Sequence, residues 1–113
     1  MPKSSNTQIT IEKDFIRITP CETIDMDNSR LIESRFMAEY EGKNLDVLFD
    51  LSETTALFSS GVGLILRIYN RVKERGHSLS LVNVDPKTCE ALDNMGITRV
   101  VEIFPTEADI RRP

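Results

Sequence analysis

The sequence predicts a small α/β domain with a mixed sheet, in the order β-β-α-β-α-β-α-β, and three patterns carry that prediction. Two short alternating segments open the chain. Later strands are continuous apolar runs, as strands covered on both faces require. Amphipathic stretches of helix length separate those runs, so the later strands join by crossovers and pair mostly in parallel. The opening pair should add an antiparallel hairpin at one edge.

The elements follow in order. Gln8-Ile-Thr-Ile-Glu12 alternates polar and apolar, placing Ile9 and Ile11 on one strand face. Lys13-Asp14 turns the chain, and Phe15, Ile16 and Ile18 form a second strand ended by Pro20. Cys21 to Asn28 has no period and reads as a loop, with Asn28 or Ser29 as the cap of a first helix. Ile32, Phe36 and Tyr40 recur at helical spacing beside Met37, and Gly42 ends that helix. Val47-Leu-Phe49, flanked by Leu45 and Leu51, is a buried strand.

Ser59-Ser-Gly-Val-Gly63 opens the longest helix, with Val62, Ile65, Leu66, Tyr69 and Val72 on one face and Gly76 as its stop. Ser78 to Val84 is the next strand. Asp85-Pro86 starts the last helix, a cap followed by proline in the first turn. Leu92 and Met95 give it core contacts, and Gly96 ends it. Val100, Val101, Ile103 and Phe104 make the final strand before Pro105. One domain is expected, with its core over about 8–104 and flexible ends at 1–7 and 105–113.

Composition narrows the function. The 14 basic and 18 acidic residues give a net charge of −4, the wrong sign for a nucleic-acid binder. The basic residues alternate with acidic ones except at Arg67, Arg71, Lys73 and Arg75. No apolar run is long enough to enter a membrane, and Met1 to Thr7 lacks the apolar stretch of a signal peptide. A cytoplasmic location is therefore expected. Cys21 and Cys89 stand far apart and in no metal-ligand spacing, so both read as reduced thiols. Neither a metal nor a cofactor is expected.

The motifs exclude the common chemistries. Gly61-Val62-Gly63 lacks the third small residue of a dinucleotide loop, because position 66 is Leu66, and it lacks the Gly-Lys-Ser/Thr of a P-loop. The one histidine, His77, lies at the far end of the long helix from Ser60. A helix of about 15 residues separates them by about 22 Å, so no hydrolase triad forms. Asp25/Asp27 and Glu39/Glu41 are carboxylate pairs without an apolar pocket to split their pKa values. An enzyme is not expected.

Ser59 and Ser60 remain. Ser60 stands where a hydroxyl can cap the long helix. It also stands where a phosphate would add about −1.5 to −2 charges at a helix N-terminus that tolerates them. A partner docked there would meet a solvated dianion and be released without unfolding. Leu64 and Ile68 lie about 120° off the core face, given 3.6 residues per turn, beside Arg67, Arg71 and Arg75. They either complete the core against a neighbouring helix or form an apolar spot next to Ser60.

The run Val47-Leu-Phe-Asp-Leu-Ser-Glu-Thr-Thr-Ala-Leu-Phe-Ser-Ser-Gly-Val-Gly-Leu-Ile-Leu66 resembles the STAS domain of bacterial anti-sigma factor antagonists. Lys73-Glu-Arg-Gly76, Leu79 to Val84, Pro86 and Asn94-Met-Gly-Ile97 continue the resemblance, which covers positions 8 to 104. It implies a small sheet with helices largely on one side. It implies binding to an anti-sigma factor that is also an ATP-dependent serine kinase, which frees a sigma factor for transcription. Phosphorylation of the serine before the glycine, here Ser60 with Ser59 second, would end that binding, and a serine phosphatase would reset it. The partner face implied is Phe58, Ser59, Ser60, Gly61, Gly63, Leu64, Arg67, Ile68 and Arg71. Two positions depart from the family: Phe58 stands where Asp is usual, and Pro20-Cys-Glu-Thr-Ile-Asp25 replaces a Gly-containing Leu-Asp pattern. The alternatives are a STAS adaptor subunit of a transporter or signalling assembly, not phospho-switched, and a small-ligand or nucleotide-binding STAS domain.

Overall fold

The structure, a computed structural model, describes residues 7–106 apart from 22, 55 and 58. Strand β1 (Gln8–Ile11) and strand β2 (Phe15–Thr19) form the expected hairpin, closed by the Glu12 amide donating to the Phe15 carbonyl at 2.8 Å. Then come helix α1 (Met26–Tyr40), strand β3 (Asp46–Asp50), helix α2 (Ser59–Glu74), strand β4 (Leu79–Val82) and helix α3 (Pro86–Asn94). A single 3₁₀ turn (Ile97–Arg99) leads into strand β5 (Glu102–Phe104). The five strands lie side by side in chain order. β1 is antiparallel to β2, and β2, β3, β4 and β5 are mutually parallel.

The helices share one face of the sheet. Ile16, Ile18, Val47, Phe49, Leu79 and Leu81 project from the strands into one core with Ile32, Phe36 and Tyr40 of α1, Ile65 and Val72 of α2, and Leu92 of α3. The alternate strand positions Phe15, Leu48 and Val82, with Phe104 beside them, make a second, smaller cluster containing no helix residue. Side chains alternate across a strand, so both clusters follow from one register.

Several boundaries differ from expectation. Helix α1 begins at Met26, inside the stretch read as loop, and its cap is Asp25 rather than Asn28 or Ser29. The Asp25 carboxylate accepts from the Asp27 and Asn28 amides, and the Asn28 side-chain oxygen accepts from the Asp25 amide at 2.8 Å. Asn28 is thus the reciprocal partner in a capping box. Strand β4 stops at Val82 because Asn83 turns left-handed at φ 58°. Met95 is 54% exposed and Val100 49% exposed, so neither is core; Leu92 and Val101 are buried instead. Thr7 is buried, and its carbonyl accepts from Arg35.

Candidate functional site

Helix α2 starts on a braced loop. The Asp50 carboxylate closes β3: one oxygen accepts from the Ser52 amide and the Asn83 side-chain amide, both at 3.0 Å, and the other from Arg17 at 3.2 Å. Burial is the largest influence on that carboxyl and raises its pKa, but the hydrogen bonds from Asn83 and Ser52 and the Arg17 charge together hold it below its ordinary value. Further along, Ile24 and Leu57 form an isolated parallel bridge, with the Ile24 amide donating to the Ala56 carbonyl at 3.0 Å. The Thr54 hydroxyl donates to the Pro20 carbonyl at 3.2 Å. The segment after β2 and the segment before α2 therefore hold one another.

Gly61 sits directly on that bridge. A Cβ there would lie 2.5 Å from Leu57 Cδ1 and 2.9 Å from Ile24 Cγ2, so only glycine lets the first turn of α2 come this close. Ser59 is exposed and Ser60 half-buried in the same turn. Ser60 is the second residue of the helix and not its cap, which corrects the capping role expected of it. Its hydroxyl has no hydrogen bond to another described residue. Phe58 lies outside the described residues.

The structure separates the expected partner face into two sets. Leu64 and Ile68 have no exposed surface and belong to the core. They are not an apolar spot beside Ser60; α2 presents them inward because it packs against α1 as well as against β4. Ser60 and Arg67 do come together, along an open groove between the start of α1 and the start of α2 lined also by Met26, Ser29, Arg30 and Glu33. Arg71 lies in the adjoining groove, with Met37, Asn70 and Glu74. Gly63 is half-buried, and Arg67 crosses it: Arg67 Nη1 would stand 3.3 Å from a Cβ at Gly63. Arg67 Nε donates to Glu33 Oε1 at 2.7 Å.

Met26, Arg30 and Glu33 of α1 are the site residues that sequence reasoning missed. Met26 is 71% exposed, unusual for a methionine at the rim of a groove. A capping box recognised at Asp25 would have placed Met26, Arg30 and Glu33 together on one helix face, at i, i+4 and i+7.

His77 is held at the other end of α2, with Nδ1 3.1 Å from Asp46 Oδ1. Cys21 and Cys89 are free thiols. Among the described residues no cluster of His, Cys, Asp or Glu could hold a metal ion, and no helix is long and apolar enough to cross a membrane.

The fold has close relatives of known structure. A Thermotoga maritima protein aligns over 91% of this chain and 89% of its own, with a TM-score of 0.83 and 22% identity. An anti-sigma-factor antagonist (STAS) domain protein from Planctomyces limnophilus aligns over 91% and 92%, with a TM-score of 0.76 and 25% identity. The murine Slc26a9 anion transporter aligns over 96% of this chain but 22% of its own, with a TM-score of 0.76 and 13% identity. No protein of curated function matches in sequence. The STAS domain family matches residues 6–110, nearly the whole chain. With that match, the five-stranded mixed sheet and helices on one face, the chain belongs to the STAS domain family.

Proposed function

We propose that the chain is an anti-sigma factor antagonist acting in the cytoplasm. In this reading it binds an anti-sigma factor that is also a serine kinase, and so frees a sigma factor for transcription. Phosphorylation of Ser60 ends the binding: Ser60 Oγ loses its proton and bonds to the γ-phosphorus of ATP, and ADP leaves. A serine phosphatase hydrolyses the ester to reset it. The chain is binding partner and kinase substrate and turns over nothing itself.

The observation that carries this reading is the placement of Ser60. Ser60, half-buried, lines the groove between α1 and α2, and its hydroxyl makes no hydrogen bond to another described residue, while the backbone beneath it is braced by the Ile24–Leu57 bridge. A phosphate there changes the charge of a docking face and leaves the core alone. With Leu64 and Ile68 inside the core, the apolar part of that face comes from exposed Met26. Ser59, Gly63, Arg67 and Arg71 complete it, with Phe58 from the sequence reading; Gly61, expected on this face, is buried against Leu57 and Ile24 and shapes the turn from beneath.

Support comes also from the Planctomyces limnophilus relative. The Slc26a9 likeness favours a second reading, a fixed adaptor domain within a transporter assembly. The test is a binding assay with a purified kinase-type anti-sigma factor, followed by incubation with ATP and peptide mapping. Phosphate on Ser60 and lost affinity in Ser60→Asp are expected. Phosphate elsewhere, or unchanged affinity in Ser60→Asp, leaves the adaptor as the better account.

A further inference from the structure

Resting on Ser60 as the phosphorylated residue, we infer that Arg67 and Arg30 hold the phosphate in cis, with Glu33 positioning Arg67 to receive it. The groove beside Ser60 is lined by three charged groups: Arg30 and Glu33 from α1, and Arg67 from α2. Arg67 is half exposed but is held along the helix surface. Its guanidinium folds back over Gly63, one helical turn from Ser60. Any larger residue at 63 would press on it, and the glycine lets it lie against the helix.

Glu33 fixes that pose through one bond, Nε to Oε1 at 2.7 Å. The bond uses Nε–H and leaves both Nη groups as donors. A guanidinium fork with two free donors matches a phosphate edge, and charge-assisted bonds of this kind are the strong ones. Arg30 adds a second cation on the same groove, with no ion pair among the described residues. The groove, about 500 Å³ in volume, has room for the group.

The consequence is a switch with a defined mechanism. Without phosphate, the two cations line the groove and are available to acidic groups on a partner. With phosphate on Ser60, they turn to an intramolecular anion. The dianion thus repels the partner's acidic groups and also withdraws the cations they would meet.

The test places phosphoserine at position 60 during translation, so that no kinase is needed, and follows its titration by phosphorus NMR. A free phosphoserine has its second pKa at about 6. In the otherwise unaltered chain it should titrate about half a unit to one unit lower than in the Arg67→Gln phosphoprotein, less than a buried carboxylate gains from arginine because Arg67 is half exposed. Arg30→Gln should recover part of the shift, and Glu33→Asp, which keeps the negative charge but draws the carboxylate away from Arg67, should also raise the pKa by releasing Arg67. Arg71→Gln, which removes the same charge from the adjoining groove, should move it much less. Equal titration in the unaltered and Arg67→Gln phosphoproteins, or equal shifts for Arg67→Gln and Arg71→Gln, would overturn the assignment. Failure of a kinase to modify Ser60 would instead count against the functional reading, which the peptide mapping decides separately.

Discussion

At Gly61, one missing methyl group sets how closely α2 approaches the rest of the domain. The Cβ of Gly61→Ala would meet Leu57 and Ile24, which the bridge between them holds in place. The substitution should cost about 1–3 kcal/mol, as overpacking does. Gly63→Ala should behave oppositely. Its Cβ would meet only the far end of the long Arg67 side chain at 3.3 Å, which can give by a few tenths of an ångström, while alanine gains about 0.5–1 kcal/mol over glycine inside a helix. Urea unfolding of both variants checks the contrast, and equal losses would mean that the bridge does not constrain the first turn. Tyr40 offers a second residue-scale test. Its ring stacks on Phe36 at 4.9 Å and lies under Arg75, but its hydroxyl is buried without a hydrogen-bond partner among the described residues. Burial pushes its phenol pKa up, with Arg75 opposing and Asp46 adding to the rise. Tyr40→Phe removes a donor that has no acceptor, so it should stabilise the fold by about 1 kcal/mol; a destabilised variant would point to a bound water on that hydroxyl.

Helix α2 illustrates what an element's own sequence can and cannot specify. Two apolar stripes run along it at helical spacing, and both include Ile65 and Val72. The sequence favours the stripe through Leu66 and Tyr69, but in the fold those two are half-buried, while Leu64 and Ile68 have no exposure. The choice between stripes depends on where α1 lies, a tertiary fact with no local signal. Leu64→Ala and Ile68→Ala should therefore each cost about 2–5 kcal/mol through lost transfer and cavity formation, and Leu66→Ala clearly less. The reverse ranking in thermal unfolding would mean that the helix is rotated. The caps were readable to different degrees for the same kind of reason. Asp85 before Pro86 had no competitor, and its carboxylate does accept from the Thr88 amide at 2.8 Å. Ahead of α1, by contrast, Asp25, Asp27, Asn28 and Ser29 all qualify as caps by type. The serines of the site were legible because the Ser-Ser-Gly run is local. The groove was not, because Glu33 and Arg67 pair across two helices.

Over the whole molecule, stability is divided between the two sheet faces, and the face away from the helices carries its own polar tie. Arg17 of β2 pairs with Glu12 at 2.8 Å and with Asp50 of β3 at 3.2 Å, and Asn83 just beyond β4 donates to the same Asp50. Three neighbouring strands thus meet at one carboxylate, 8% exposed. Asp50→Ala would leave Asn83 and the Ser52 amide without their acceptor, and should cost about 1.5–3 kcal/mol near neutral pH, as losing hydrogen bonds to a charged group does. The acid limb of stability should report the same group. Its folded-state pKa is lowered from the ordinary 3.8, so the folded state holds its proton less readily than the unfolded chain does. The stabilisation is complete above the unfolded value and is lost as the pH falls through the lower, folded one. In urea titrations, the stability gap between the native chain and Asp50→Asn should be constant from about pH 5 to 7. It should narrow only below about pH 3.8. A gap that stays constant into acid, or one that widens there, would show that Asp50 is not held in its charged form by Asn83, Ser52 and Arg17.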